Sequence, residues 1–193
     1  ENKYETFISS QSYLNFVTIA IFKIFSKKTK IIIRESNTIS NKYVFKNKYE
    51  KFKEFIFKKS YNFADIIIAP SLGVKDNLIN KYKINFKKII VINNPVDFNL
   101  INNFANLKMQ NKDCDFFKKP TIISIGRLTH QKNFSFLIEA FSEINKSRKY
   151  NLLILGEGTL KKDLLKQVAI LKQKNSIYLL GFKDNPFPYI NAS

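Results

Sequence analysis

The sequence predicts an α/β protein of two units, each built on a parallel sheet, and three observations carry that expectation. Seven short apolar runs recur along the chain, segments with apolar residues at helical spacing separate them, and one stretch interrupts the alternation. Alternating strand and helix signals are the pattern of βαβ units. Strands are expected at Phe7 to Ser9, Lys30 to Ile33, Asp65 to Ala69, Lys88 to Ile92, Thr121 to Ile125, Leu152 to Leu155 and Ile177 to Leu180. Their near-continuous Ile, Leu and Val suits strands covered on both faces, and right-handed crossovers then predict a doubly wound topology. Between the strands, three sets of residues fall at helical spacing and predict core faces: Phe45, Tyr49, Phe52, Ile56 and Phe63; Leu137, Phe141 and Ile144; Leu160, Leu164, Val168 and Leu171. The interruption runs from Asn93 to Lys119, where Asn-Asn-Pro, further Asn and the Lys118-Lys119-Pro120 triplet predict a connection between domains. Residues 1–95 are then the later part of one unit, 96–119 the linker and 120–193 the opening half of a second. With three strands and a last helix only beginning at Tyr189, the second sheet would leave apolar faces uncovered. The opening Glu1-Asn2-Lys3, with no initiator Met and no leader, makes a fragment the expectation.

Composition narrows the class. At 45% hydrophobic and 25% charged over 193 residues, the chain has globular proportions, which excludes disordered, collagen-like and disulfide-framework proteins. Cys114 is the single cysteine, and no apolar tract of about 20 residues offers a membrane span. A reduced, cytoplasmic setting is expected. The 33 basic and 15 acidic residues give +18, a charge that raises nucleic acid or an anionic membrane as partners. The abundance of Lys, Asn, Ile and Phe is equally what A/T-rich coding produces. The cations are also dispersed, with +12 on residues 1–119 and +6 on 120–193, whereas nucleic-acid binders concentrate cations and stacking aromatics on one surface. No nucleic-acid partner is expected, although a basic α/β nucleic-acid-binding module stays as the alternative class.

The chemistry gathers in residues 123–134, Ile-Ser-Ile-Gly-Arg-Leu-Thr-His-Gln-Lys-Asn-Phe, which run from a strand end through a loop into a helix. Ligands of open α/β sheets sit at such carboxyl ends. Gly126 permits close backbone approach, the helix start offers N–H groups at a positive dipole end, and Arg127 and Lys132 add two cations. Arg grips phosphate oxygens in bidentate fashion and Lys acts as a point charge, so the set describes a diphosphate cradle. The bland alternative is a solvated loop with two surface cations.

Gly126-Arg127-Leu128, Gln131-Lys132-Asn133, Leu137-Ile138-Glu139-Ala140-Phe141, Leu153-Ile154-Leu155-Gly156-Glu157-Gly158 and Leu180-Gly181-Phe182 occur in that order. Together they resemble the nucleotide-sugar lobe of the retaining group 1 glycosyltransferases with GT-B architecture. Upstream, Ala64-Asp65-Ile66-Ile67-Ile68-Ala69-Pro70-Ser71 with Gly73, Val74 and Leu78 is similar to the last strand and helix of that family's acceptor lobe. Ile92-Asn93-Asn94-Pro95-Val96-Asp97 is similar to the segment entering its linker. The resemblance implies two Rossmann-like lobes, both incomplete here. It implies transfer of a sugar from a UDP- or GDP-linked donor to a hydroxyl of a glycan or lipid-linked acceptor, with retention, without metal and without cofactor. Arg127 and Lys132 would be catalytic; Gly126, Arg127, Lys132, Gly156, Gly181 and Phe182 would line the donor site, the last pair through backbone contacts to the nucleobase. Arg34, Asn37 and Asn94 would face the interlobe cleft.

Some features depart from the family or are discounted. Its Glu, seven residues, Glu signature would fall beyond Ser193 and its glycine-rich loop before Glu1, so the chain alone is expected to be inactive, and a non-catalytic remnant is a further alternative. Where the family often carries a His after the strand matched by Ile31 to Ile33, this chain reads Arg34-Glu35-Ser36-Asn37; a structural pairing of Arg34 with Glu35 or another neighbour is the competing use. Gly156-Glu157-Gly158 lacks the third glycine of a dinucleotide fingerprint. Asp113-Cys114-Asp115 has a metal-binding spacing but no strand leading to it, and His130, the only histidine, is expected to be an exposed loop residue. Residues 42–59 hold seven Lys against Glu50 and Glu54, interleaved with aromatics, which predicts peripheral attachment to an anionic inner membrane face or, equally, a solvated helix face.

Overall fold

The computed structural model of the chain describes residues 4–25, 28–36, 55–56 and 58–193. The chain divides into two compact units, Glu1–Pro95 and Val96–Ser193. In the first, β1 (Thr6–Ser10), β2 (Lys30–Arg34), β3 (Ile66–Ala69) and β4 (Ile89–Val91) form one parallel sheet in the order β1-β2-β3-β4. Helix α1 (Ser12–Phe25) follows β1, and α2 (Leu72–Asn80) follows β3. The alternation of the strands decides the core: Ile31, Ile33, Ile67 and Ala69 are buried with Val74 and Leu78 of α2 and with Tyr61, Ala64 and Tyr82. Ser71 starts α2 by accepting a hydrogen bond from Val74 N at 3.3 Å, an N-cap of ordinary type. Of the first expected helical face, Phe45, Tyr49 and Phe52 lie outside the described residues. Residues 55–56 and 58–61 are helical, but Ile56 and Phe63 are exposed; Tyr61 and Ala64 turn into the core in their place.

The second unit contains α3 (Phe98–Ala105), a short α4 (Asn111–Cys114) continued by a 3₁₀ turn at Asp115–Lys118, and then β5 (Thr121–Ile125). A 3₁₀ turn at His130–Lys132, α5 (Phe134–Asn145), β6 (Asn151–Leu155), α6 (Lys161–Ile170), β7 (Ile177–Gly181) and α7 (Phe187–Asn191) complete it. The sheet is parallel in the order β5-β6-β7, and all five residues of the central β6 are buried. Leu128, Phe134, Ile138, Phe141, Leu152, Ile154, Leu164, Val168 and Ile177 make the core. Ile144, expected on this face, is exposed; Phe134, Ile138 and Phe141 at i, i+4 and i+7 form the buried stripe instead. In both sheets strand order follows chain order, so the reversal that defines a doubly wound sheet does not occur among these strands.

The stretch 96–119 is not an open connection. Asp97 caps α3 by accepting from Leu100 N at 2.9 Å, and the rings of Phe104 and Phe187 stack at 6.4 Å. Asn185 Nδ2 donates to Phe104 O at 2.9 Å, and Asn151 Nδ2 to Phe116 O at 2.7 Å. At the centre, Asp113 Oδ2 receives Lys183 Nζ at 2.7 Å and Tyr189 Oη at 2.5 Å, with the Asp113 and Lys183 side chains only 5% and 15% exposed. Burial works to raise the Asp113 pKa, but the hydrogen bonds from Lys183 and Tyr189 outweigh it and hold the carboxyl below the usual range. Burial likewise works against the charge on Lys183, and Asp113 overcomes it, raising that pKa. A nearly desolvated pair of this kind is costly to break from one side.

Candidate functional site

Four of the five glycines converge on the carboxyl ends of β5, β6 and β7. Gly156, directly after β6, has φ 139°, and a Cβ there would lie 2.0 Å from Gly126 O. A Cβ on Gly158 would meet Leu128 O at 2.4 Å. Gly156 and Gly158 therefore let the loop after β6 lie directly against Gly126 and Leu128. At Gly126 itself a Cβ would make ordinary van der Waals contact with the aliphatic stem of Lys132, whose Cγ, Cδ and Cε lie 3.5 Å from the Cβ position. Leu128 is fully buried, and its N–H and C=O bond Glu157 O at 3.0 Å and Leu160 N at 3.1 Å. This anchor ties the loop after β5 to the loop after β6, leaving Arg127 projecting from the rim.

Arg127 and Lys132 are exposed, and their side chains make no hydrogen bond or ion pair among the described residues. Lys132 ends the 3₁₀ turn, and Asn133, in the left-handed conformation (φ 50°, ψ 42°), starts α5 without a side-chain cap. Two unpaired cations and an uncapped helix start thus lie along one loop of seven residues. On the far side of β6, Gly156 N donates to Gly181 O at 2.7 Å, and Gly181 has φ 78°. Glu157 Oε1 lies 2.8 Å from the Cβ position of Gly181 and pairs with Lys161 Nζ at 2.7 Å. Phe182 follows, 70% exposed. The structure thus gathers Gly126, Arg127, Lys132, Gly156 and Gly181 along one rim, with Phe182 at its β7 end. His130 is exposed. The Asp113-Cys114-Asp115 spacing is spent on structure: Asp113 holds Lys183 and Tyr189, and Asp115 pairs with Lys118 at the surface. Among the described residues, no group of three His, Cys, Asp or Glu side chains is gathered for a metal ion.

At the carboxyl end of β2, in the first unit, Arg34 Nη2 donates to Asn94 Oδ1 at 2.5 Å. Two of the three residues expected at a cleft therefore meet; Asn37 lies outside the described residues. Glu35 does not pair with Arg34. It is fully buried and accepts from Ser12 Oγ at 2.9 Å, Asn15 Nδ2 at 3.0 Å and Tyr61 Oη. Burial first, and the neighbouring Glu35 charge second, push the Tyr61 phenol well up. Sequence reasoning missed this carboxylate. Its signal was a Glu two residues after an Ile run, but the partners lie 20 to 26 positions away.

Strand ends carrying glycines that admit backbone contact, beside unpaired cations, define an open parallel α/β unit with its ligand-binding rim at the strand carboxyl ends. The family model for glycosyl transferases group 1 matches residues 99–191, and that for glycosyltransferase family 4 matches residues 10–100. The chain belongs to the group 1 glycosyltransferases of GT-B architecture. It is 31% identical over 176 residues to a Campylobacter jejuni enzyme, N-acetylgalactosamine-N,N'-diacetylbacillosaminyl-diphospho-undecaprenol 4-alpha-N-acetylgalactosaminyltransferase, covering 91% of this chain and 46% of that protein. It is 26% identical over 188 residues to the amylovoran biosynthesis glycosyltransferase AmsD of Erwinia amylovora, covering 96% of this chain and 49% of that one. The chain thus spans about half the length of these curated relatives. Its fold matches Anabaena HepE, solved in complex with UDP, with a TM-score of 0.79 at 18% identity, over 98% of this chain and 51% of that one.

Proposed function

We propose that the protein transfers a sugar from a nucleotide-diphosphate donor, UDP- or GDP-linked, to a hydroxyl of a glycan or lipid-linked acceptor, with retention of configuration and without metal. The observation that carries this is the pair of unpaired cations, Arg127 and Lys132, on a rim where Gly156 and Gly158 bring the loops after β5 and β6 together. Departure of the diphosphate from an oxocarbenium-like centre builds negative charge on the phosphate oxygens. A guanidinium and an ammonium carried on one loop whose backbone is tied at Leu128, beside a helix start, would stabilise that charge. Arg127 would take two oxygens in bidentate fashion and Lys132 a third as a point charge. Gly181 and Phe182, at the β7 end of the rim, would receive the nucleobase, and Arg34 and Asn94 would serve the acceptor side. The Campylobacter relative's named acceptor, a glycan on diphospho-undecaprenol, supports an acceptor of that lipid-diphosphate class. The net charge of +18 supports peripheral attachment at an anionic membrane, and the single cysteine supports a cytoplasmic setting; among the described residues no helix is long and apolar enough to cross a membrane.

The test is a transfer assay of the full-length protein with UDP- and GDP-sugars and a polyprenyl-diphosphate glycan, with the product's anomeric configuration read by NMR. Transfer with retention, unchanged by EDTA, is expected. Nucleotide-sugar binding without transfer to any such acceptor would favour a non-catalytic member of the family.

A further inference from the structure

The fully buried Glu35 has no part in the reaction as described, and its surroundings give it one. Its three donors come from separate places: Ser12 at the start of α1, Asn15 one turn on, and Tyr61 in the helical residues before β3. The Asn15 amide also donates to Arg34 O at 3.0 Å, so one NH2 group pins both the Arg34 backbone and the Glu35 carboxylate. Successive residues at a strand end point to opposite sides. With Glu35 locked inward, Arg34 is directed outward, and there its guanidinium meets Asn94. The rest of that guanidinium makes no hydrogen bond or ion pair among the described residues and presents a planar fork suited to phosphate or carboxylate oxygens.

The arrangement is an expensive way to fill a core. A buried carboxylate with polar partners contributes little more than well-packed apolar groups would, and Asn15 Oδ1 is buried with no partner among the described residues. The turn leading into α1 is also strained, since Gln11 holds φ 89° without being glycine. Local rules broken together at strand carboxyl ends mark a place shaped for function.

We propose that Glu35 is a positioning residue for Arg34: through Ser12, Asn15 and Tyr61 it fixes the carboxyl end of β2 so that the guanidinium is held, with Asn94, ready for an anionic group of the acceptor. The proposal rests on the transferase reading above. Glu35→Gln replaces an oxygen that accepts with an NH2 that cannot, while Ser12→Ala and Tyr61→Phe each remove one donor and leave the carboxylate in place. In the full-length protein, each variant raises the KM for a lipid-diphosphate acceptor, by about tenfold for Glu35→Gln, with the donor KM changing less than about twofold. Arg34→Ala raises the acceptor KM at least as much, and adding Glu35→Gln to Arg34→Ala produces no further rise beyond about twofold. A second readout needs no turnover: the Arg34 side-chain NMR signal, assigned by its loss in Arg34→Lys, is sharp in the wild type and broadened in Glu35→Gln.

Independent, multiplying effects of Glu35→Gln and Arg34→Ala overturn the proposal, as does a lowered melting temperature with an unchanged acceptor KM. An acceptor KM unmoved by Arg34→Ala also overturns it. Should the wild type transfer no sugar at all, the transferase reading fails, and the Arg34 signal alone then decides: unchanged in Glu35→Gln, it refutes the positioning role.

Discussion

Gly156→Ala tests the construction of the rim most sharply, because the structure sets a steric and a conformational penalty on one atom. A Cβ there would lie 2.0 Å from Gly126 O, at a residue with φ 139°. A real Cβ does not approach a carbonyl oxygen within 3.0 Å, so the ends of β5 and β6 must part by about 1 Å or the peptide must rotate. Holding a side chain in that region of φ costs about 1–3 kcal/mol, and overpacking adds about 1–3 kcal/mol. A combined loss of about 2–6 kcal/mol corresponds to a drop in Tm of at least about 4 °C, and of about 10 °C at mid-range, for a chain of this size. Gly126→Ala is the internal control. Its Cβ meets only the flexible stem of Lys132 at 3.5 Å, so stability should change by less than about 1 kcal/mol. Thermal unfolding followed by circular dichroism measures both. A Gly156→Ala protein melting within about 2 °C of wild type, or a Gly126→Ala protein falling as far, would refute the close-approach argument.

Two further outcomes are expected. Asp113→Asn strands Lys183 in a site where both side chains are largely buried and should cost about 2–4 kcal/mol. The folded pKa of Asp113 is depressed, so its contribution is complete above the ordinary value of 3.8 and is lost as pH falls through the folded pKa. Lys183 is raised above 10.5, so its contribution is complete below that value and is lost at higher pH. The wild type should therefore lose more stability than Asp113→Asn on acidification below about pH 4, and chemical denaturation at pH 7 and pH 3 reads the difference. In vesicle cosedimentation, the protein should bind anionic but not neutral membranes, release as salt rises through the physiological range, and weaken when Lys42, Lys46, Lys53 and Lys59 become Gln. Equal binding to both vesicle types sinks the peripheral-membrane proposal and leaves the transferase proposal standing.

The strands were legible because their signal is local. Runs such as Ile31–Ile33 and Ile66–Ile68 announce themselves, and all seven strands fall within about two residues of their expected bounds. Gly156 and Gly181 entered the candidate site through the family resemblance and not through local pattern, although they directly follow or end strands. Residues 96–119 misled because their many Asn read as loop, although Asp97 followed by Phe98, Ile101 and Phe104 is a cap and an apolar stripe that could have signalled α3. Glu35 and Asp113 were illegible in principle. Each is buried by partners far along the chain, 70 residues away for Lys183 and 26 for Tyr61, and no local window contains them. The face of α5 shifted for a related reason, since whether Phe134 or Ile144 turns inward depends on β6 and α6, not on spacing alone.

The central claim is that Arg127 and Lys132 stabilise the leaving diphosphate, and single-turnover sugar transfer by the full-length wild type, Arg127→Ala and Lys132→Ala tests it most directly. Loss of a charge-assisted contact that strengthens at the transition state costs about 2–4 kcal/mol, a fall of about 30- to 1000-fold in kcat/KM for the nucleotide sugar. The account predicts that fall for both variants with Tm changed by no more than about 2 °C, because neither side chain has a hydrogen-bond or ion-pair partner to lose among the described residues. Wild-type rates in both variants would contradict it.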